Sequence, residues 1–235
     1  MKKLVWLLAG FSLVVTIFWL QTMPSLLPMD YSIGGEVRRW GSKYSYLILP
    51  MVTLLITLLW QFLVAHFERQ ADGDDKTAQA AAANARVLVF VGLVMNLFFG
   101  ALQLVLLGSA AWIAGHNSAA GTAQPEVATA AQKVLCILIS LLLILLGNIL
   151  PKTRKNCNVG VRLPYSQYND ITWQKSNRFG GAAMVTAGIL GILSAVLVPS
   201  AELAMGVLTV YLLFAVAATI WYARKVYQGE KKKEV

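Results

Sequence analysis

GAAMVTAGILGILSAVLVPSAELAMGVLTVYLLFAVAATIWY, residues 181–222, carries one charged residue, Glu202. Two apolar runs, Gly181 to Val198 and Leu203 to Tyr222, are joined only by Pro199 to Glu202. Each is long enough to cross a bilayer, which needs roughly 20 apolar residues. So short a connection makes them antiparallel neighbours.

The same pattern recurs toward the N-terminus. Apolar runs cover Leu4 to Leu20, Tyr44 to Ala65, Val87 to about Trp112, and Val134 to Leu150, the last stopped by Pro151. An alanine-rich stretch, Thr77 to Asn84, precedes the third run and extends it as helix. The whole chain is 57% hydrophobic and 13% charged, with a mean hydropathy of +0.63. A soluble domain of 235 residues would have to expose much of that surface. The runs lack the alternation of a β-barrel. The expected fold is an all-α integral membrane protein of six transmembrane helices. The first run follows Lys2 and Lys3 as a signal peptide would, but it is long and no small-residue cleavage site follows, so it reads as a spanning helix.

Charge gives an expected orientation. With the N-terminus inside, sixteen of the 20 Lys and Arg residues fall on the inner side. Only Arg38, Arg39, Lys43 and Lys133 fall outside. The positive-inside rule then puts both termini in the cytoplasm. The net charge of +9 therefore reads as membrane orientation, with the lipid bilayer as partner and no direct nucleic-acid contact. Trp6, Trp19, Trp60, Trp112 and Trp221 lie near run ends, as an aromatic belt would.

Two loops exceed what a connection needs. The outer one, Pro24 to Lys43, holds the Gly34-Gly35 turn and the charges Asp30, Glu36, Arg38 and Arg39, placed to pair with each other or with a ligand. The inner one reads PKTRKNCNVGVRLPYSQYNDITWQKSNR, residues 151–178. There Pro164 fixes a turn, and Asn169 or Asp170 caps a helix starting near Ile171. Trp173 and Asn177, four apart, share a face of that helix. It is expected as an interfacial segment leading into the fifth span, with Trp173 anchored among headgroups. The loop Glu68 to Asp75 reads as a solvated turn, and Gly115 to Ala131 as a small-residue connection.

Within the spans, Asn96, Gln103 and Asn148 are the notable amides. They serve either as interhelical hydrogen bonds or as a polar substrate site. No Asp, Glu, Lys or Arg falls in mid-span, which argues against ion-coupled transport. Ala183, Ala187, Gly188 and Gly191 give the small-residue spacing of close helix packing. No catalytic constellation, cofactor motif or metal spacing is present. His66 and His116 fall in separate loops, and Cys136 and Cys157 lie at different depths, which makes a disulfide unexpected.

Taken together, the two long loops resemble a known family. Gly147, Asn148, Pro151, Lys152, Asn156, Gly160, Arg162, Pro164, Trp173, Asn177 and Gly180 resemble the signature of the SdpI family of bacterial immunity membrane proteins. The outer stretch, through Pro28, Gly35, Gly41, Lys43 and Pro50, resembles the DUF1648-like module that often precedes it. Asp30 stands where that module commonly has histidine. The resemblance implies three regions: 1–65 with the outer loop, 66–132 with the third span, and 133–235 with the inner signature loop. It also implies a function, protection against a secreted peptide toxin met outside, with signalling to a cytoplasmic regulatory protein. Rival readings are a peptide or amphiphile transporter, with Asn96, Gln103 and Asn148 lining a cavity, and a scaffold recruiting a cytoplasmic partner. An enzyme is not expected.

Overall fold

A computed structural model describes residues 2–31, 37–72, 76–116, 125–155 and 159–233. Six helices form a bundle: α1 Lys2–Thr22, α2 Ile48–Gln70, α3 Lys76–His116, α4 Pro125–Ile149, α5 Asp170–Leu197 and α6 Ala201–Lys231. All six are long and apolar enough to cross a membrane. Large apolar side chains face outward along them, among them Phe18, Phe62, Leu197 and Phe214, each exposed by more than two thirds. That inversion is stable only in lipid. The protein is a multi-pass membrane protein.

Both ends of the chain lie on one face. Lys2 pairs with Glu68 at the end of α2. The backbone N–H of Arg154, after α4, donates to Asn84 near the start of α3 at 3.1 Å. Lys175, near the start of α5, reaches Glu230 at the end of α6 at 3.5 Å. The α3 helix has 41 residues and spans roughly 60 Å at 1.5 Å per residue. That is about twice the bilayer core, so its alanine-rich start projects from this terminal face. His66 lies within α2, which runs five residues past the apolar run; it is not a loop residue.

The outer loop folds back on itself. Strands β1 Leu26–Tyr31 and β2 Val37–Ser42 pair antiparallel, with irregular register around Met29 and Arg38. Leu27 is fully buried and packs with Leu20, Met23 and Leu107. The hairpin thus caps α1 and α3 on the face opposite the termini.

Helices α4 and α5 cross on small residues. A Cβ on Gly147 would sit 2.7 Å from the Gly181 carbonyl, and one on Gly188 would sit 2.6 Å from the Ser140 carbonyl. Ala187, Gly188 and Gly191 are buried and Ala183 partly so. With no hydrophobic drive between helices in lipid, such backbone approach supplies the van der Waals contact that holds them. Cys136 is buried in the same packing, and Cys157 lies outside the described residues.

Candidate functional site

The described residues of the inner loop form a structure built on the start of α5. A capping box opens that helix: the Thr172 N–H donates to Asn169 Oδ1 at 2.8 Å, and the Asn169 N–H donates to Thr172 Oγ1 at 3.0 Å. Asn169, not Asp170, is therefore the cap. The helix runs unbroken into the fifth span rather than forming a separate interfacial segment. Trp173 and Asn177 do share a face, but it points inward. Trp173 is 2% exposed, and its Nε1–H donates to the Thr153 carbonyl at 3.1 Å. It is a core residue of the loop and does not anchor the protein among headgroups. The reason is the chain's return path, since the segment after α4 crosses directly over the first turn of α5.

Asn177 ties the other arm of the loop. Its Oδ1 accepts the Val161 N–H at 2.7 Å, and its Nδ2 donates to the Trp173 carbonyl at 3.0 Å. Gly160 makes this possible. Its φ is +127°, and a Cβ there would lie 2.7 Å from both Asn177 Oδ1 and Trp173 Cζ2. Only glycine combines that backbone conformation with that approach. Pro164 sits second in a turn closed by the Ser166 N–H to the Leu163 carbonyl at 3.0 Å, where a fixed φ is favourable. Fully buried Ser166 accepts from the Leu163 N–H and donates toward the Val161 carbonyl. Gly180 leaves room for Val161 and Thr219, and Pro151 packs on Gly181. The rings of Tyr165 and Tyr168 meet Tyr227 of α6.

The motif residues therefore divide into two kinds. Gly147, Pro151, Gly160, Trp173, Asn177 and Gly180 shape the loop. Lys152, Arg162 and Pro164 are exposed on it. Asn148 is exposed, with its Nδ2 donating to the Ile144 carbonyl of its own helix. Asn156 lies outside the described residues. The residues that sequence reasoning missed are Asn84, Thr153, Ser166 and Thr172, all buried polar groups that satisfy the loop's backbone. Asn84 had one signal, a lone amide in an alanine run. The others look like ordinary loop hydroxyls.

On the hairpin face, Lys43 Nζ donates to the carbonyls of Leu20 at 2.7 Å and Met23 at 3.0 Å. It closes the C-terminus of α1, where orphan carbonyls and the helix dipole favour a cation. Pro28 is buried, and its carbonyl accepts from Tyr46 Oη at 2.7 Å. Pro50 occupies the first turn of α2, where its missing N–H breaks no helix bond. Asp30 is exposed and lies across the ladder from Arg39. Among the described residues no ion pair joins them, the pairs being Lys2–Glu68, Lys175–Glu230 and Lys233–Glu230. Gly34, Gly35 and Glu36 lie outside the described residues.

The intramembrane amides act between helices. Asn96 Nδ2 donates to Thr57 Oγ1 of α2 at 3.1 Å. Gln103 Nε2 donates to Thr16 Oγ1 of α1 at 3.2 Å and to the Tyr46 carbonyl at 2.9 Å. Asn96 and Gln103 thus join α3 to different neighbours, while Asn148 bonds only within its own helix among the bonds of the described residues.

No curated protein and no solved structure matches the chain. A family model does match, over less than half of the chain, in the region of the inner loop and the two helices that follow it. Residues 152–223, from the head of the inner loop through α5 and most of α6, match the model of the SdpI/YfhL protein family.

Proposed function

We propose that the protein is an immunity or sensor protein of the bacterial cytoplasmic membrane, protecting the cell against a secreted peptide toxin. The observation that carries this reading is the family match over residues 152–223, which takes in the inner loop. The sixteen-to-four distribution of Lys and Arg supports a cytoplasmic terminal face and an external hairpin. The hairpin, in the stretch resembling the DUF1648-like module, offers Leu26, Trp40 and Tyr44 as exposed apolar groups beside Arg38 and Arg39. That mixture suits an amphiphilic, membrane-active peptide. On the other face, exposed Arg162 offers a guanidinium fork to a carboxylate of a cytoplasmic regulatory protein. The transporter reading draws no support from Asn96 and Gln103, whose bonds run between helices. The scaffold reading differs only in having no toxin.

The test is deletion of the gene followed by exposure to the strain's own peptide toxins. Protection restored by the wild-type chain, and lost with Arg38→Ala/Arg39→Ala or Arg162→Ala at equal membrane abundance, is the expected result. Unchanged sensitivity on deletion sinks the immunity reading and leaves the scaffold.

A further inference from the structure

On the terminal face a cleft of about 1210 Å³ opens between the projecting start of α3, the loop after α4 and the first turn of α5. Among the described residues its lining holds the cations Arg86, Lys152 and Lys155 and the carboxylate of Asp170. Arg86, Lys152 and Lys155 are exposed, and the ion pairs among the described residues use none of them. Like charges gathered around one opening repel each other and leave a positive potential that an anion relieves.

Depth selects the anion. Arg86 directly precedes the apolar run that begins at Val87, and Lys152 closes the 3-10 turn that follows α4. The cations therefore sit where the apolar core ends and headgroup phosphates begin. The cleft has fixed walls: Asn84 bonds the Arg154 backbone, and Trp173 beneath is held to Thr153. The geometry points to a binding site for the phosphate of an anionic lipid headgroup, placed against the family motif. The site does not depend on any toxin, because its residues and its depth stand without one.

The experiment uses the full chain in neutral detergent micelles, with dioleoylphosphatidylglycerol or dioleoylphosphatidylcholine added. Bound lipid is counted by native mass spectrometry, and the melting temperature is followed. The wild type retains phosphatidylglycerol and is stabilised by it, while phosphatidylcholine does neither. Arg86→Gln/Lys152→Gln/Lys155→Gln lowers the phosphatidylglycerol affinity about a hundredfold, on the order of fivefold per cation. A control of equal charge change away from the cleft, Lys3→Gln/Lys231→Gln/Lys232→Gln, keeps most of it. Equal retention of the two lipids overturns the site, as does equal loss in the cleft and control variants. A third arm adds inorganic phosphate without lipid. Stabilisation of the wild type and not of the cleft variant would keep an anion site but overturn its assignment to lipid.

Discussion

Replacing Gly160 by alanine tests whether the inner loop is a built structure. A side chain at φ +127° costs about 1–3 kcal/mol in backbone strain. The new Cβ would also stand 2.7 Å from Asn177 Oδ1 and from Trp173 Cζ2. Trp173 is pinned, so Asn177 must yield. That breaks its bond to the Val161 N–H and leaves buried groups unpaired, about 1–3 kcal/mol more. A total near 3 kcal/mol raises the open population of the loop about a hundredfold, because about 1.4 kcal/mol is a factor of ten. The six helices are untouched, so the opening is local. The assay is tryptic cleavage at Lys155 and Arg162 in micelles, read beside far-ultraviolet circular dichroism. Cleavage should accelerate about a hundredfold in the regime where rate follows the open population, with helix content unchanged. In Gly160→Ala/Asn177→Ala the two costs should fall short of their sum by about 1–2 kcal/mol, because one variant removes the other's obstacle. Cleavage at the wild-type rate, or strict additivity, would refute the reasoning. So would loss of helix throughout the chain.

Two further predictions concern the spans, measured by unfolding in bicelles. Gln103→Leu removes two interhelical donations, each worth about 0.6 kcal/mol in membrane proteins. It also removes an oxygen, Oε1, that is buried without a partner. Stability should change by less than about 1 kcal/mol and toxin protection should persist; loss of protection would mark a functional polar site. Gly188→Val forces methyl groups against the Ser140 carbonyl and should cost about 2–4 kcal/mol as α4 and α5 separate. Gly206→Val, in α6 with nothing within 4 Å of the added Cβ, should be nearly neutral, and equal costs at the two positions would contradict the close crossing.

Much of the fold was legible because lipid imposes a one-dimensional rule. A segment either can or cannot enter hydrocarbon, and continuous runs such as Gly181 to Val198 answer that locally. The small residues of α5 were legible for a similar reason, since close helix contact in lipid needs a missing side chain. The cap was legible to within one residue, because Asn169 and Thr172 are three apart and the bond is local. The roles of the site residues were not. Lys43 reads as a loop cation and closes α1, twenty residues upstream. Trp173 reads as an interface anchor and is buried under the returning chain. Hydropathy and spacing report what a residue can bear, and both surroundings satisfy a tryptophan.

The sequence by itself determined six spans, the charge asymmetry between two faces and the position of two unusual loops. Those follow from transfer free energies that each segment carries alone. Only the tertiary structure decided that the outer loop is a bulged hairpin packed on Leu27, that Gly160, Trp173 and Asn177 lock one another, and that Arg86 joins Lys152 and Lys155 around one cleft. Each of these depends on partners brought together from distant positions, such as Gly160 with Asn177, Arg86 with Lys155, and Leu27 with Leu107. Which partner a polar group finds is fixed by where the chain returns, and no local pattern records that.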